Sequence, residues 1–300
     1  MSRLFGIAGV QMSVIPWDVD ATIDKMADVT RQISLTFPWV HMIMFHELAV
    51  PGLVQFITAP RPDTWRKNAA PIPGPQTDRL CAIARKTRKW LLPGSLYELD
   101  GDLIYNTAIV ISPQGEIVAK YRKMFPWLPY EAGTAAGKEF CVFDIPDVGR
   151  FGVMICYDMW FPEVTRTLAW MGAEVILQPT MTPTSDREVE LVMAQASAIF
   201  NQAYFVSING VGPWGGGQSL LVDPDGRILQ KAGVAETILT EIIDLDHVTR
   251  TREYGTIGLG QTLKQLRDSG IAFPVYDRQG GLAEGSFAQL GPLALHRNLR

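Results

Sequence analysis

The sequence predicts an α/β protein built from two related halves, and three observations lead to this class. A chain of 300 residues with 47% hydrophobic and 19% charged residues can bury the core of one large α/β domain or of two smaller ones. Apolar strand-like segments alternate with segments of helical periodicity through most of the chain. A hairpin signal with proline and glycine occurs twice in similar surroundings, at residues 105–123 and 219–233.

The first half begins with a β-α-β pattern. Residues 5–12 (FGIAGVQM) and 40–45 (VHMIMF) are apolar enough for buried strands, and residues 20–33 between them carry apolar side chains at helical spacing. A proline-rich loop at 70–77 then leads into a basic amphipathic helix predicted at 78–90. The hairpin at 105–123 follows.

The second half repeats this alternation. Residues 162–172 (PEVTRTLAWMG) predict a helix, with Pro162 in its first turn and Gly172 at its end. The later hairpin, SLLVDPDGRIL, resembles AIVISPQGEIVAKYR of the first half, which indicates an internal duplication around one core. The alternative is that two unrelated hairpins share a common turn signal.

The periodicity weakens after the second half. We therefore predict a core domain at residues 1–246 and a C-terminal extension at 247–300 that packs on the core or on a partner subunit. A disordered tail is the alternative for this glycine-rich segment.

Charge, hydropathy and cysteine content exclude several classes of protein. The net charge is -4 and no run of Lys or Arg exceeds two residues, which argues against nucleic acid and anionic membranes as partners. No apolar run reaches the roughly 18 residues of a membrane helix. Three cysteines without metal-type spacing argue against a disulfide framework, so we expect a cytoplasmic protein.

Cys156 is the first candidate for chemistry. In FGVMICYDMWFPE it follows an apolar strand and precedes the helix at Pro162, where ligands bind in open α/β sheets and where a helix dipole favours a thiolate. A lone cysteine in such a place is more often a packed small hydrophobe. A nucleophile also needs a base, and the four histidines are poorly placed to supply it: His41, His46, His247 and His296.

Carboxylates and a lysine at other strand ends are better candidates. Glu47 follows the strand at 40–45 and precedes apolar residues, which would raise its pKa and make it a proton acceptor. Lys123 ends the hairpin and enters an aromatic, proline-rich loop, and Glu131 lies in the same loop. Each could instead be an ordinary loop or surface charge.

Taken together, these residues resemble the nitrilase superfamily of carbon–nitrogen hydrolases. MFHELAVPG carries Glu47, YRKMFPW carries Lys123 and ICYDMWFPE carries Cys156, in the order of the family's Glu–Lys–Cys set. Glu131 occupies the place of a second glutamate that the family often has after the lysine. Further segments, among them GVQM and GSLYE, extend the likeness to roughly residues 5–245.

The resemblance implies a four-layer α-β-β-α sandwich with pseudo-twofold internal symmetry, in a homodimer or higher homo-oligomer. It implies that Cys156 is the nucleophile, Glu47 the base and Lys123 the oxyanion stabiliser, with Glu131 holding the lysine and the substrate. This chemistry requires no metal and no organic cofactor. The run SAIFN (197–201) departs from the family's Arg-Ala-x-Glu-Asn, so an interface ion pair is expected to be absent.

The residues after the cysteine direct the substrate prediction. Tyr157-Asp158 is similar to the amidase and N-carbamoyl amide hydrolase branches, whereas nitrilases tend to have Trp-Glu there. We expect Tyr157, Trp160 and Thr180 to bind a small amide or N-carbamoyl substrate, and ammonia to be released. Nitrile hydrolysis, acyl transfer to an amine and a non-catalytic role in protein interaction are the alternatives.

Overall fold

The computed structural model describes residues 2–16, 18–52, 62–128, 130–212, 215–273 and 276. Its strands are β1 (Leu4–Gln11), β2 (Met42–Phe45), β3 (Trp90–Leu92), β4 (Ser95–Asp100), β5 (Leu103–Ile111), β6 (Ile117–Arg122), β7 (Cys141–Ile145), β8 (Gly149–Val153), β9 (Val175–Thr180), β10 (Tyr204–Asn209), β11 (Leu220–Val222), β12 (Ile228–Lys231) and β13 (Thr237–Asp244). Its α-helices are α1 (Val19–Thr36), α2 (Pro62–Asn68), α3 (Pro75–Thr87), α4 (Pro162–Trp170), α5 (Arg187–Asn201), α6 (Leu245–Tyr254) and α7 (Thr262–Asp268).

The strands form two sheets with matching topology, which confirms the predicted duplication. In the first sheet, β1, β2 and β3 are parallel, and the sheet continues with β5 and β6, each antiparallel to the strand before it. In the second sheet, β8, β9 and β10 are parallel, and the sheet continues with β11 and β12 in the same antiparallel manner. An antiparallel strand flanks each set, β13 beside β1 and β7 beside β8. Because β13 comes from the end of the second half and pairs in the first sheet, the two halves share one domain core.

The main core lies between the two sheets. Side chains of β1 alternate, so that Phe5 and Ile7 pack in the core between the sheets while Ala8 and Val10 pack on the helical side. The sheets approach closely at Gly9, where a β-carbon would lie 2.1 Å from Ile208 of the other sheet. A larger side chain at this position would push the two sheets apart.

Helices cover the outer face of each sheet and complete the predicted α-β-β-α sandwich. Helices α1 and α3 bury Ile23 and Leu80 against the first sheet, and α4 and α5 bury Leu168 and Ala194 against the second. Within the described part of the chain, the helices are too short or too polar to cross a membrane.

The helix predicted at 78–90 begins and ends earlier than expected. Pro75 occupies the first turn after Gly74, where its missing N–H costs nothing, and the helix stops at Arg88, whose φ is 55°. Trp90 is therefore the first residue of β3.

The predicted C-terminal extension starts within α6. Leu245 and Val248 of this helix lie in the core between the sheets, whereas α7 has no buried residue. The division at residues 246 and 247 stays a prediction, and residues 277–300 lie outside the described residues.

Candidate active site

Four chain segments meet where the sequence predicts the site. Glu47 follows β2, Cys156 follows β8, Lys123 follows β6, and Glu131 lies in the loop between β6 and β7. The amide of Glu47 also donates to the carbonyl of Thr180 at the end of β9, 3.2 Å away, which joins the strand ends of the two sheets.

The loop after β2 is held tightly, and this fixes the backbone of Glu47. His46 Nδ1 lies 2.8 Å from the Glu47 carbonyl oxygen, and the amide of Leu48 donates to Ser95 Oγ at 2.9 Å. His46 contacts the backbone of Glu47 and not its carboxylate, and burial lowers the pKa of the histidine to about 4. The histidine therefore stays neutral at physiological pH.

Lys123 lies between the two glutamates. Its Nζ is 2.8 Å from Glu47 Oε1 and 2.6 Å from Glu131 Oε2, and about 2–3% of each of the three side chains is exposed. The Asn106 amide nitrogen bridges the same carboxylates, at 2.8 Å from Glu47 Oε1 and 2.9 Å from Glu131 Oε1. The arrangement fixes one buried cation between two acceptors and leaves little rotamer freedom to any of them.

The loop from Trp127 to Glu131 closes on itself. The amide of Trp127 donates to Glu131 Oε2 at 2.7 Å, and the amide of Glu131 donates to the Trp127 carbonyl at 2.9 Å. One carboxylate thus orders its own loop and holds Lys123.

Cys156 has a backbone conformation that side chains other than glycine rarely adopt. Its φ is 45°, at the start of a short 3₁₀ helix over Cys156–Trp160. Gln178 Nε2 donates to the Cys156 carbonyl at 3.0 Å, which helps to hold this strained turn. Strain of this kind persists where the surroundings enforce it, and it is typical of functional sites.

Asp158 ties the cysteine turn to the lysine loop. Its carboxylate accepts from the amides of Ile155 (3.0 Å) and Phe125 (2.9 Å) and from the hydroxyl of Tyr121 (2.7 Å). It is fully buried, and burial raises its pKa to about 6 despite these donors and the charge of Lys123. The acid after Tyr157, which the sequence offers only as a marker of the branch, is thus a structural brace.

The electrostatics favour a thiol at rest with a carboxylate beside it. Burial raises the pKa of Glu47, against the nearby Lys123 charge, and Glu131 raises it further. Burial and the negative charge of Glu47 raise the pKa of the Cys156 thiol well above its ordinary value. Burial disfavours the Lys123 ammonium, but Glu131 and Glu47 outweigh it and raise the pKa of that group well above its usual range. The cation therefore stays charged while a proton can pass between thiol and carboxylate.

A small cavity of about 20 Å³ adjoins the cysteine. Tyr157 and Trp160 are among the residues that line it, together with Trp127 and Thr182. Thr180, the last residue of β9, is buried; its hydroxyl hydrogen-bonds to Cys156 and lies 3.1 Å from the Thr182 hydroxyl oxygen. The volume is that of about one water molecule.

The sequence analysis did not identify Asn106, Thr182 or Glu190 as site residues. Asn106 is a buried amide in β5, beside buried Thr107, and Glu190 is a buried acid on the inner face of α5. An amide in a largely apolar strand is a signal for Asn106, whereas Glu190 follows Glu188 on the same helix and does not stand out in the sequence.

One cluster of metal-type side chains lies outside this site, among the described residues. Carboxylate oxygens of Asp223 and Asp225 and a ring nitrogen of His247 lie within 4.8 Å of one another. These side chains make structural hydrogen bonds. Asp223 Oδ1 accepts from the amides of Asp225 and Arg227, and His247 Nε2 is 3.0 Å from Asp225 Oδ2. These contacts stabilise the turn between β11 and β12.

A cysteine at a strand end thus lies beside a buried Glu–Lys–Glu cluster on a four-layer sandwich. The chain belongs to the carbon-nitrogen hydrolase family, whose sequence profile it matches over residues 6–253. It is 34% identical to a formamidase of Bacillus cereus over 197 residues, which are 65% of this chain and 58% of the formamidase. The chain thus matches somewhat more than half the length of these curated relatives.

Solved structures show the same fold. Nit3 of Saccharomyces cerevisiae, a member of branch 10 of the nitrilase superfamily, superposes with a TM-score of 0.75 at 26% identity, over 83% of this chain and 93% of Nit3. An amidase from Nesterenkonia sp. superposes with a TM-score of 0.70 at 25% identity, over 84% of this chain and 94% of the amidase. These neighbours confirm the predicted nitrilase-type sandwich.

Proposed function

We propose that this protein hydrolyses the C–N bond of a small primary amide or N-carbamoyl compound and releases ammonia. The observation that carries the proposal is the buried cluster of Glu47, Lys123 and Glu131 beside a cysteine with strained backbone geometry. The similarity of the chain to a formamidase and to an amidase supports the reaction class.

The proposed mechanism has two steps. Glu47 takes the thiol proton of Cys156 as the sulfur attacks the carbonyl carbon, and Lys123 with a backbone N–H near Tyr157 stabilises the negative oxygen. Glu47 then gives the proton to the leaving nitrogen. Ammonia departs, and the acyl group remains bound to Cys156 as a thioester. In the second step Glu47 takes a proton from water, whose oxygen attacks the thioester, and the proton returns to the thiol as the acid leaves.

We further propose a short acyl group. The cavity beside Cys156 has about the volume of one water molecule and aromatic walls that include Trp127 and Trp160. A formyl, acetyl or carbamoyl group needs little more room than this, whereas a long or branched acyl chain would have to displace an aromatic side chain.

The test is a substrate panel with the full chain and its Cys156→Ala variant. We expect ammonia release from formamide, acetamide and small carbamoyl compounds, falling steeply as the acyl chain lengthens. Replacing Cys156 removes the nucleophile, so turnover should drop on the order of 10³-fold or more. Mass spectrometry of the native protein should show an acyl adduct on Cys156 that the variant lacks.

Three results would contradict the proposal in different ways. Activity on nitriles without activity on amides would make the protein a nitrilase. Full turnover by Cys156→Ala would exclude the thioester mechanism. A correctly folded native protein with neither turnover nor adduct would favour a non-catalytic family member.

We also propose a homodimer through the outer face of α5. Val192 is 65% exposed and Phe200 is 61% exposed, with Val189 and Ile199 on the same helix also exposed. Phe200 stands where the resemblance places a glutamate, so an apolar contact would replace the family's ion pair. The predicted extension at 247–300 would pack near this interface or on the core.

Introducing a charge into this face should dissociate the dimer. The double variant Val192→Glu/Phe200→Glu would bury carboxylates against an apolar surface, so we expect a monomer in sedimentation analysis. Leu103→Glu is the matched control, because Leu103 is apolar and 52% exposed but lies on β5. If the double variant and the native protein sediment alike, the interface lies elsewhere.

For the compartment we propose the cytoplasm. The three cysteines are free thiols, which a reducing environment maintains.

A further inference from the structure

A second buried ion pair lies at the wall of the catalytic cavity. Arg187 Nη1 is 3.0 Å from Glu190 Oε2, and both side chains are about 2% exposed. Arg187 also donates to Ser207 Oγ at 3.2 Å and to the Gln218 carbonyl at 2.9 Å. The pair thus braces the first turn of α5 against β10 and the loop that follows it. The proposed proton transfers do not use it.

Glu190 fixes the direction of a hydroxyl beside the nucleophile. Its Oε1 is 3.0 Å from Thr182 Oγ1. A carboxylate paired with a guanidinium can only accept hydrogen bonds, so the Thr182 hydroxyl must donate its hydrogen to Glu190. The Thr180 hydroxyl oxygen lies 3.1 Å from the Thr182 oxygen.

The backbone of Thr182 is fixed as well. Its amide donates to Asn209 Oδ1 at 2.9 Å, and its carbonyl accepts from Asn209 Nδ2 at 3.0 Å. The hydroxyl oxygen therefore has both a fixed position and a fixed polarity.

This oxygen is an acceptor at the place where a substrate reacts. Thr182 lines the cavity, and its Oγ1 lies 3.9 Å from Cys156 Sγ. The single hydrogen of the thiol faces Glu47, which also hydrogen-bonds to Cys156. A lone pair of the Thr182 oxygen is therefore open to a donor on the substrate.

The charge of Glu190 is unfavourable for the Cys156 nucleophile, which indicates that this residue has another function in the site. The negative charge of Glu190 raises the pKa of Cys156, which works against forming the nucleophile. A neutral residue at this position would avoid that penalty.

We propose that Thr182 accepts a hydrogen bond from the NH₂ group of the substrate and so selects primary amides and carbamoyl groups, and that Glu190 is the positioning residue that keeps its hydroxyl in the accepting orientation. This inference rests on the proposed amide hydrolysis. An ester or a nitrile brings no donor to this oxygen, and the acceptor would face a lone pair or a π-system instead. Thr182 and Glu190 thus determine which leaving group the site tolerates.

The experiment compares one acyl group with two leaving groups. The substrates are the shortest amide that the native enzyme turns over and the methyl ester of the same acid, and kcat/KM is measured for native protein, Thr182→Val and Glu190→Gln. We expect both variants to lower kcat/KM for the amide about tenfold or more, and that for the ester by less than about threefold. Thr182→Ser keeps the hydroxyl and should restore most of the preference.

Thr165→Val is the matched control. Thr165 is equally buried but lies on α4, where its hydroxyl contacts the sulfur of Met154 at 3.9 Å, and the amide-to-ester ratio should not change. If the native enzyme does not accept the ester, the same comparison is made as binding of amide and ester to Cys156→Ala and Cys156→Ala/Thr182→Val by saturation-transfer NMR.

The outcomes separate this inference from the function on which it rests. Equal losses on amide and ester, or no loss in Thr182→Val, would overturn the role of Thr182 alone. A changed ratio in Thr165→Val would overturn it too, because any core hydroxyl would then have the same effect. Absence of amide turnover in the native protein would overturn the proposed function and this inference together.

Discussion

Replacing Glu47 with glutamine is expected to lower kcat for amide hydrolysis about 10³-fold while leaving the fold intact. Glutamine keeps the oxygen that accepts from Lys123 and from Asn106, both at 2.8 Å, but it cannot take the thiol proton. Burial raises the pKa of Glu47 above its ordinary 4.5, so native kcat/KM should fall as pH drops through that higher value. The residual activity of the variant should lack this acid limb.

Glu98→Gln is a control for the loss of a buried carboxylate. Glu98 is as buried as Glu47 but pairs with Arg122 and Lys120, outside the site. These donors outweigh burial and lower the pKa of Glu98 in the folded state. The Glu98 carboxylate therefore stabilises the fold at pH values above its unfolded pKa, and this contribution is lost as the pH falls through the folded pKa. We expect this variant to be less stable at neutral pH but to keep its kcat.

A Glu47→Gln enzyme with native kcat and an unchanged acid limb would show that another group is the base.

The sequence predicts the fold well because the fold depends on local patterns. Apolar runs such as that of β2 alternate with amphipathic helices, and the two proline-glycine hairpins mark corresponding points of the two halves. Helix ends are less predictable: the helix α3 begins at Pro75 because proline fits the first turn, and apolar periodicity carries no signal for this.

The site is predictable where each residue follows a strand end and unpredictable where it depends on packing across sheets. Glu47, Lys123 and Cys156 are predicted as site residues in this way, and the structure brings Glu47 and Lys123 into contact. Asn106 lies within a strand, and its role follows only from the register that places it under both carboxylates. Glu190 looks like an ordinary helix charge until its side chain is seen to accept from Thr182, in the segment after β9.

Replacing Lys123 with methionine should cost both activity and stability. The Lys123→Met variant would leave Glu47 and Glu131 buried and close together without their cation. Because of this, we expect the free energy of unfolding to fall by about 3–5 kcal/mol. Loss of the oxyanion partner should lower kcat on the order of 10²-fold or more. Urea denaturation at several pH values measures the first effect, and steady-state kinetics measures the second.

The sign of the pH dependence follows from the charges. Without Lys123 the folded pKa of Glu47 moves further above its unfolded value, so the folded variant binds a proton that the unfolded chain has lost. The deficit in unfolding free energy should therefore be largest near neutral pH and should shrink as the pH falls toward the unfolded pKa. A deficit that does not change with pH would mean that packing around the lysine stem, and not its charge, is what the variant loses.

A double variant separates the structural from the catalytic role of Lys123. In Lys123→Met/Glu131→Gln one of the two stranded carboxylates is neutral, so we expect the variant to recover part of the stability that Lys123→Met loses. Its kcat should stay low, because the oxyanion still lacks a cation. Because Glu131 also accepts from the amide of Trp127 at 2.7 Å, glutamine rather than alanine is the appropriate replacement. If the double variant were no more stable than the single one, the two glutamates would not be opposing each other, and the stability lost in Lys123→Met would not come from the charge of Glu131.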